Sequence, residues 1–142
     1  MYERLGFTLA VFAFAWMVRF ILKRRQAARS DQASKQMDTA SGRPALVYFW
    51  AHGCSVCKGT QRPILEAVLE EYGKDRLTFI AYNVEETPHV ADAWGVRTLP
   101  TTFLLDQAGK IRHINNGLIT SEKLHLQLKA VLPESPTLND AP

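Results

Sequence analysis

Cysteine is nearly missing from this chain: there are two in 142 residues, which leaves any zinc site two ligands short unless histidines complete it. The sequence also has no internal repeat, no glycine-rich phosphate loop and no stripe of interleaved aromatic and basic residues, so nothing in it points to a nucleotide or a nucleic acid. The net charge of +3 does not replace those signals. Residues 1–43 carry eight Lys and Arg against three Asp and Glu, whereas 44–142 carry nine against eleven. The basic balance therefore belongs to an amino-terminal segment, as expected beside a membrane, and the rest is slightly acidic. A second domain has no room, because the part with core-forming patterns is about ninety residues and holds one modest core.

What is present begins with the cysteines themselves. Cys54-Ser55-Val56-Cys57 follows the apolar run Ala45-Leu46-Val47-Tyr48-Phe49-Trp50, which reads as a strand buried on both faces. A Cys-x-x-Cys at the end of a strand and the start of a helix reads first as a redox dithiol. Helix-terminal N–H groups and the positive end of the dipole stabilise a thiolate at Cys54, and Cys57, one turn further in, is placed to attack a mixed disulfide. Three other readings compete. A purely structural bridge closes too small a loop to contribute much stability. Zinc would need His52 and one of the distant His89, His113 or His125. Two buried, inert cysteines are the third alternative.

The rest of the chain alternates strands and helices. From Ser55 to about Tyr72, Ile64, Leu65, Val68, Leu69 and Tyr72 recur at helical spacing opposite Glu66, Glu70 and Glu71, and Gly73 ends the helix. Pro63 falls inside it, with Gly59 before, and a kink is expected. Leu77–Val84 reads as a second strand, parallel to the first because a helix connects them. A short helix near 88–94 precedes two strands, Thr101–Asp106 and Lys110–Asn115, joined by Gln107-Ala108-Gly109 as a hairpin. Ser121 to about Leu132 is the closing helix, with Ser121 as its N-cap and Leu124, Leu128, Val131 and Leu132 as its apolar stripe.

This order, βαβ followed by αββα, resembles the thioredoxin superfamily in nearly minimal form, over about residues 43–132. Three separated segments carry the resemblance: Val47-Tyr48-Phe49-Trp50-Ala51 leading into Cys54–Lys58, Gly95–Thr101 containing Pro100, and Phe103–Asp106 with Gly109-Lys110 and Gly117. The resemblance implies a three-layer α/β fold and a thiol–disulfide oxidoreductase, with Cys54 as nucleophile and Cys57 as resolving thiol. It also implies a cis peptide at Pro100, with Leu99 offering its backbone to an extended substrate. A trans turn proline at the head of a strand is the competing reading.

Four departures from the family pattern matter. Tyr48 stands where thioredoxins usually have a buried acid, Ala81 near a usual lysine, Gly53 at a usual tryptophan, and Ser55-Val56 in place of Gly-Pro. Each bears on thiolate stability or on deprotonation of the second cysteine. His52 and Lys58 are candidates for tuning Cys54 through their charge; solvated surface residues are the alternative.

The first 22 residues read as a membrane anchor. Leu5 to Val18 is uncharged and continues past Arg19 with Phe20-Ile21-Leu22, which reaches a spanning length only if Arg19 snorkels. Met1-Tyr2-Glu3-Arg4 is a poor basic signal-peptide start, and no convincing Ala-x-Ala cleavage site precedes the domain. Residues 23–42 read as a polar linker and 133–142 as a frayed tail. Lys23, Arg24, Arg25 and Arg29 outnumber Arg4, which by the positive-inside rule keeps the domain in the cytoplasm, whereas anchored members of the superfamily commonly face the periplasm or a lumen. The reading adopted leans to export. The whole is therefore expected to be a single-pass, membrane-tethered, monomeric enzyme acting on protein thiols or disulfides with a redox partner, and using no cofactor or metal. The alternative is a non-catalytic module that binds a client, assists assembly or carries a metal.

Overall fold

The computed structural model describes residues 2–36 and 42–132, with side-chain surroundings in the first stretch described for 11–26 and 28–30. Alternation along the first strand sets the architecture. In β1 (Ala45–Trp50) every residue up to Phe49 is buried, so helices must cover both faces. Leu46 and Tyr48 point into one core, with Leu65, Val68, Leu69, Leu124 and Leu128; Ala45, Val47 and Phe49 point into the other, with Ala91, Trp94, Phe103 and Leu105. Each fully buried Leu or Phe side chain contributes about 1.5–3 kcal/mol. The two small cores together hold a three-layer domain.

The remaining elements are α1 (Tyr2–Gln36), α2 (Arg62–Tyr72), β2 (Thr78–Asn83), α3 (Pro88–Ala93), β3 (Thr101–Leu105), β4 (Ile111–Asn116) and α4 (Ser121–Val131). The sheet order is β2-β1-β3-β4, with β1 parallel to β2 and antiparallel to β3, and β3 antiparallel to β4. This is the expected βαβ unit followed by a hairpin. The register pairs Trp50 with Asn83, Phe49 with Thr101, and Thr101 with Asn116. The loops that follow β1, β2 and β4 and the loop that precedes β3 therefore meet at one end of the sheet.

Two local expectations need correction. The kink expected at Pro63 is instead a π-helical turn, Cys57–Gln61, in which the Arg62 N–H donates to the Cys57 carbonyl five residues back. Pro63 has no N–H to give to an α-ladder, and it follows this wider turn at the start of α2, where none is required. The N-cap of α4 is Thr120 and not Ser121. Thr120 is extended (φ −77°, ψ 159°) and its Oγ1 accepts the Lys123 N–H at 3.4 Å, while Ser121 is the first helical residue and its hydroxyl lies 3.3 Å from His125 Nδ1.

At the amino terminus, α1 runs unbroken through Gln36, so the segment read as a polar linker is helical over 23–36. Its Gln26 exchanges side-chain amide hydrogen bonds with Asn116 at 3.1 and 3.3 Å. Gln26 also lies against Gly95, which has a φ of +67° and where a Cβ would come within 3.3 Å of it. Phe12, Phe14, Trp16, Phe20 and Leu22 are all exposed. Among the described residues no helix is long and apolar enough to cross a membrane. The side chains of 5–10, the first part of the run read as an anchor, lie outside the described residues, as does the tail at 133–142.

Candidate active site

The end of β1 delivers the dithiol. After Trp50 the chain turns through Ala51, whose carbonyl accepts the Cys54 N–H at 3.2 Å, and helix begins at Ser55. Cys54 and Cys57 are joined, with sulfurs 2.06 Å apart and Cα atoms 5.3 Å apart, the oxidised form of the pair. Their environments differ. Cys57 is fully buried while Cys54 is half-buried, and the Cys57 N–H points at Cys54 Sγ from 3.2 Å. In the reduced form that donor, at the positive end of a helix, favours a thiolate at Cys54.

Beneath the pair lies Tyr48. Its hydroxyl donates to the Cys57 carbonyl at 2.9 Å, in addition to the Arg62 N–H already bound there. Burial pushes the phenol up to about 12, against a smaller opposing pull from the Arg62 guanidinium, so it is neutral at physiological pH. A neutral donor thus occupies the place where the family's acid was expected. It fixes the backbone of Cys57 but cannot accept a proton from its thiol.

The other sequence-derived candidates divide into two groups. Leu99–Pro100 is a cis peptide, as the resemblance implied, and Leu99 packs against the same core cluster as Cys54 and Cys57. His52, by contrast, is engaged by the loop after β2. Its N–H donates to Glu85 Oε2 at 3.1 Å, its Nε2 lies 3.3 Å from Glu86 Oε1, and its ring meets Trp50 edge-on at 5.0 Å. Asn83 orders that loop, donating to Glu86 at 2.8 Å and accepting the Glu85 N–H at 3.0 Å. Lys58 sits in the π turn with its side chain exposed, and its N–H donates to the Cys54 carbonyl at 3.3 Å.

The histidines a zinc site would recruit are dispersed. His125 is 2.8 Å from Glu71, on the far helices, and among the described residues no group of three or more His, Cys, Asp or Glu could hold an ion. Sequence reasoning missed Glu85, Glu86 and Gln61, the last of which is fully buried beside Cys57 in the π turn. Register alone brings the first two to the dithiol, and no sequence spacing signals that. Gln61 carried a faint signal, as a polar residue one turn after Cys57 on the buried face.

Comparison with known proteins agrees with this geometry. The thioredoxin family model matches residues 27–130. A thioredoxin of Acidithiobacillus ferridurans is 36% identical over 95 residues, covering 67% of this chain and 85% of that protein. The chloroplastic M-type thioredoxin of Chlamydomonas reinhardtii is 34% identical over 104 residues, covering 72% and 73%. The thiol–disulfide oxidoreductase ResA of Geobacillus thermodenitrificans is 27% identical over 114 residues, covering 65% of each chain. A solved structure of a malaria-parasite thioredoxin-2 superposes with a TM-score of 0.58 at 22% identity, over 62% of this chain and 82% of that one, a likeness of fold. With a Cys-x-x-Cys pair at disulfide distance on this sheet, the chain belongs to the thioredoxin family as a thiol–disulfide oxidoreductase.

Proposed function

We propose that this protein is a membrane-tethered oxidoreductase that reduces or exchanges disulfides in client proteins, with its catalytic domain on the exported side. The asymmetry of the pair carries the role assignment: Cys54 is half-exposed and faced by an N–H donor, and Cys57 is buried. The Cys54 thiolate attacks one sulfur of a client disulfide, and the other client sulfur leaves as a thiolate and takes a proton from water. Cys57, once deprotonated, attacks Cys54 Sγ and expels the second client thiolate. Two electrons pass to the client, and the enzyme ends as the Cys54–Cys57 disulfide. A dithiol partner recharges it by the reverse exchange.

Leu99 and Pro100 form the docking edge, with the Leu99 backbone available to an extended client beside the dithiol. His52 acts indirectly, by holding Glu85 and Glu86 against the loop before Cys54, and Lys58 adds positive charge on the rim. The tether is supported by the row of exposed aromatic and aliphatic side chains between Val11 and Leu22, since apolar side chains grouped at a surface mark a site of protein or membrane interaction. Export is supported by the habit of anchored members of the superfamily.

Trapping tests the assignment. In native membranes Cys57→Ser accumulates mixed disulfides with client proteins on non-reducing gels, and Cys54→Ser does not. No adducts from Cys57→Ser, or adducts from Cys54→Ser, would falsify these roles for the two cysteines.

A further inference from the structure

Gln61 is the buried polar residue of the dithiol turn, and the mechanism leaves it unused. Burying a side-chain amide is costly unless its hydrogen bonds are met, and Gln61 is fully buried. Its partner is the backbone of Ile119, in the segment between β4 and α4. The Ile119 N–H donates to Gln61 Oε1 at 2.8 Å, and Gln61 Nε2 donates to the Ile119 carbonyl at a longer 3.4 Å. Two residues earlier the Gly117 N–H donates to the Pro100 carbonyl at 2.8 Å, with Gly117 at a φ of +94° that favours glycine. A continuous path of bonded groups therefore runs from the turn holding Cys57, through Gln61, to the 117–119 turn and on to Pro100. The π turn makes the path possible, since Cys57 and Gln61 are its two buried residues.

We infer that Gln61 is a positioning residue for polypeptide clients: it holds the 117–119 turn, and with it the Leu99–Pro100 edge, in fixed register with the dithiol. A peptide lying along that edge then presents its disulfide to Cys54, whereas a small disulfide needs no edge and reaches Cys54 unaided. The inference rests on the docking role proposed for Leu99. An apolar residue of equal volume would fill the same space but leave the Ile119 N–H without a partner, freeing the turn to shift.

The test uses the full chain and two substrates, insulin and hydroxyethyl disulfide. Gln61→Met raises KM for insulin by about tenfold, with kcat and the rate on hydroxyethyl disulfide within about twofold of the parent. Equal losses on both substrates would mean that Gln61 only supports the dithiol turn and would overturn the inference, as would an unchanged KM for insulin. Should Gln61→Met fail to fold, Gln61→Asn, which keeps the amide but is one methylene too short to reach, is read in the same way. Leu99→Asp separates positioning from docking. If it raises KM for insulin and the Gln61 variants do not, the positioning role fails alone; if it leaves KM unchanged, the docking role fails and the positioning inference that rests on it fails with it.

Discussion

The carbonyl of Cys57 accepts two hydrogen bonds, from the Tyr48 hydroxyl and the Arg62 N–H, and this redundancy decides what a mutation there does. Tyr48→Phe removes one donor and leaves the carbonyl satisfied, so urea unfolding should show a loss of about 0.5–1.5 kcal/mol, with activity near that of the parent. The same site predicts how the thiols titrate in the reduced protein. Cys54 is faced by the Cys57 N–H at 3.2 Å and by the start of a helix, so its alkylation rate should have a midpoint below the roughly 8.5 of an unperturbed thiol. Cys57 is buried beside a phenol that holds its proton to about 12, and should label far more slowly. Equal rates at the two thiols would remove the basis for calling Cys54 the nucleophile. Tyr48 was visible in the sequence as a departure from the family's acid, but its bond to a backbone carbonyl was not, because that bond depends on where β1 and the π turn pass each other.

Between elements, the joint that responds to pH ties α2 to α4. His125 Nε2 lies 2.8 Å from Glu71 Oε2, its Nδ1 lies 2.7 Å from the Ser121 carbonyl, and Tyr72 packs against its ring at 5.6 Å. The Glu71 carboxylate, and then the Ser121 carbonyl, raise the imidazole above its ordinary 6.5, against a weaker opposing effect of burial. The folded protein thus holds this proton more tightly than the unfolded chain does. The contribution is complete below 6.5 and is lost as pH rises through the raised value. A pair with Glu71 this exposed is worth about 0.2–1 kcal/mol. His125→Gln should therefore lower the melting temperature at about pH 5.5 by more than at about pH 9, and a difference that grows with pH would contradict the pairing. The apolar stripes of both helices were legible from three- and four-residue spacing. The His125–Glu71 pair was not, since it joins residues 54 positions apart. Nor was the cap: serine outranks threonine at N-caps, which points to Ser121, whereas the extended backbone at Thr120 puts the cap one residue earlier.

At the scale of the whole molecule, α1 joins an exposed apolar surface to the domain. Exposed side chains from Val11 to Leu22 are followed by Gln26 bonded to Asn116, so the helix that carries the proposed anchor also touches the domain near its docking end. Burial of the apolar run should outweigh one snorkelling arginine, whose insertion costs about 2.5–3.5 kcal/mol at a helix centre and less near its end. The full chain should resist carbonate extraction, and a fragment of residues 41–142 should be soluble and still reduce insulin. Release of the full chain by carbonate would leave only a peripheral association. With the domain exported, alkaline phosphatase fused after Pro142 is active and a fluorescent protein there is dark. The opposite pattern would side with Lys23, Arg24, Arg25 and Arg29 and put the domain in the cytoplasm.

Local chemistry determined much of this protein from its sequence alone. The double-sided apolar run Ala45–Trp50, the helical stripe ending at Gly73, the hairpin around Gly109 and the Cys-x-x-Cys at a strand-to-helix junction each depend on neighbours within a few residues. They place the fold and the reacting sulfurs without reference to anything distant. Tertiary structure decided the surroundings of those sulfurs: that Tyr48 binds the Cys57 carbonyl, that Glu85 and Glu86 engage His52, and that Gln61 reaches Ile119. Those contacts follow from sheet register and from a π turn. Both are fixed only when the two cores close, because a hydrogen bond between residues 58 positions apart has no trace in the spacing of either.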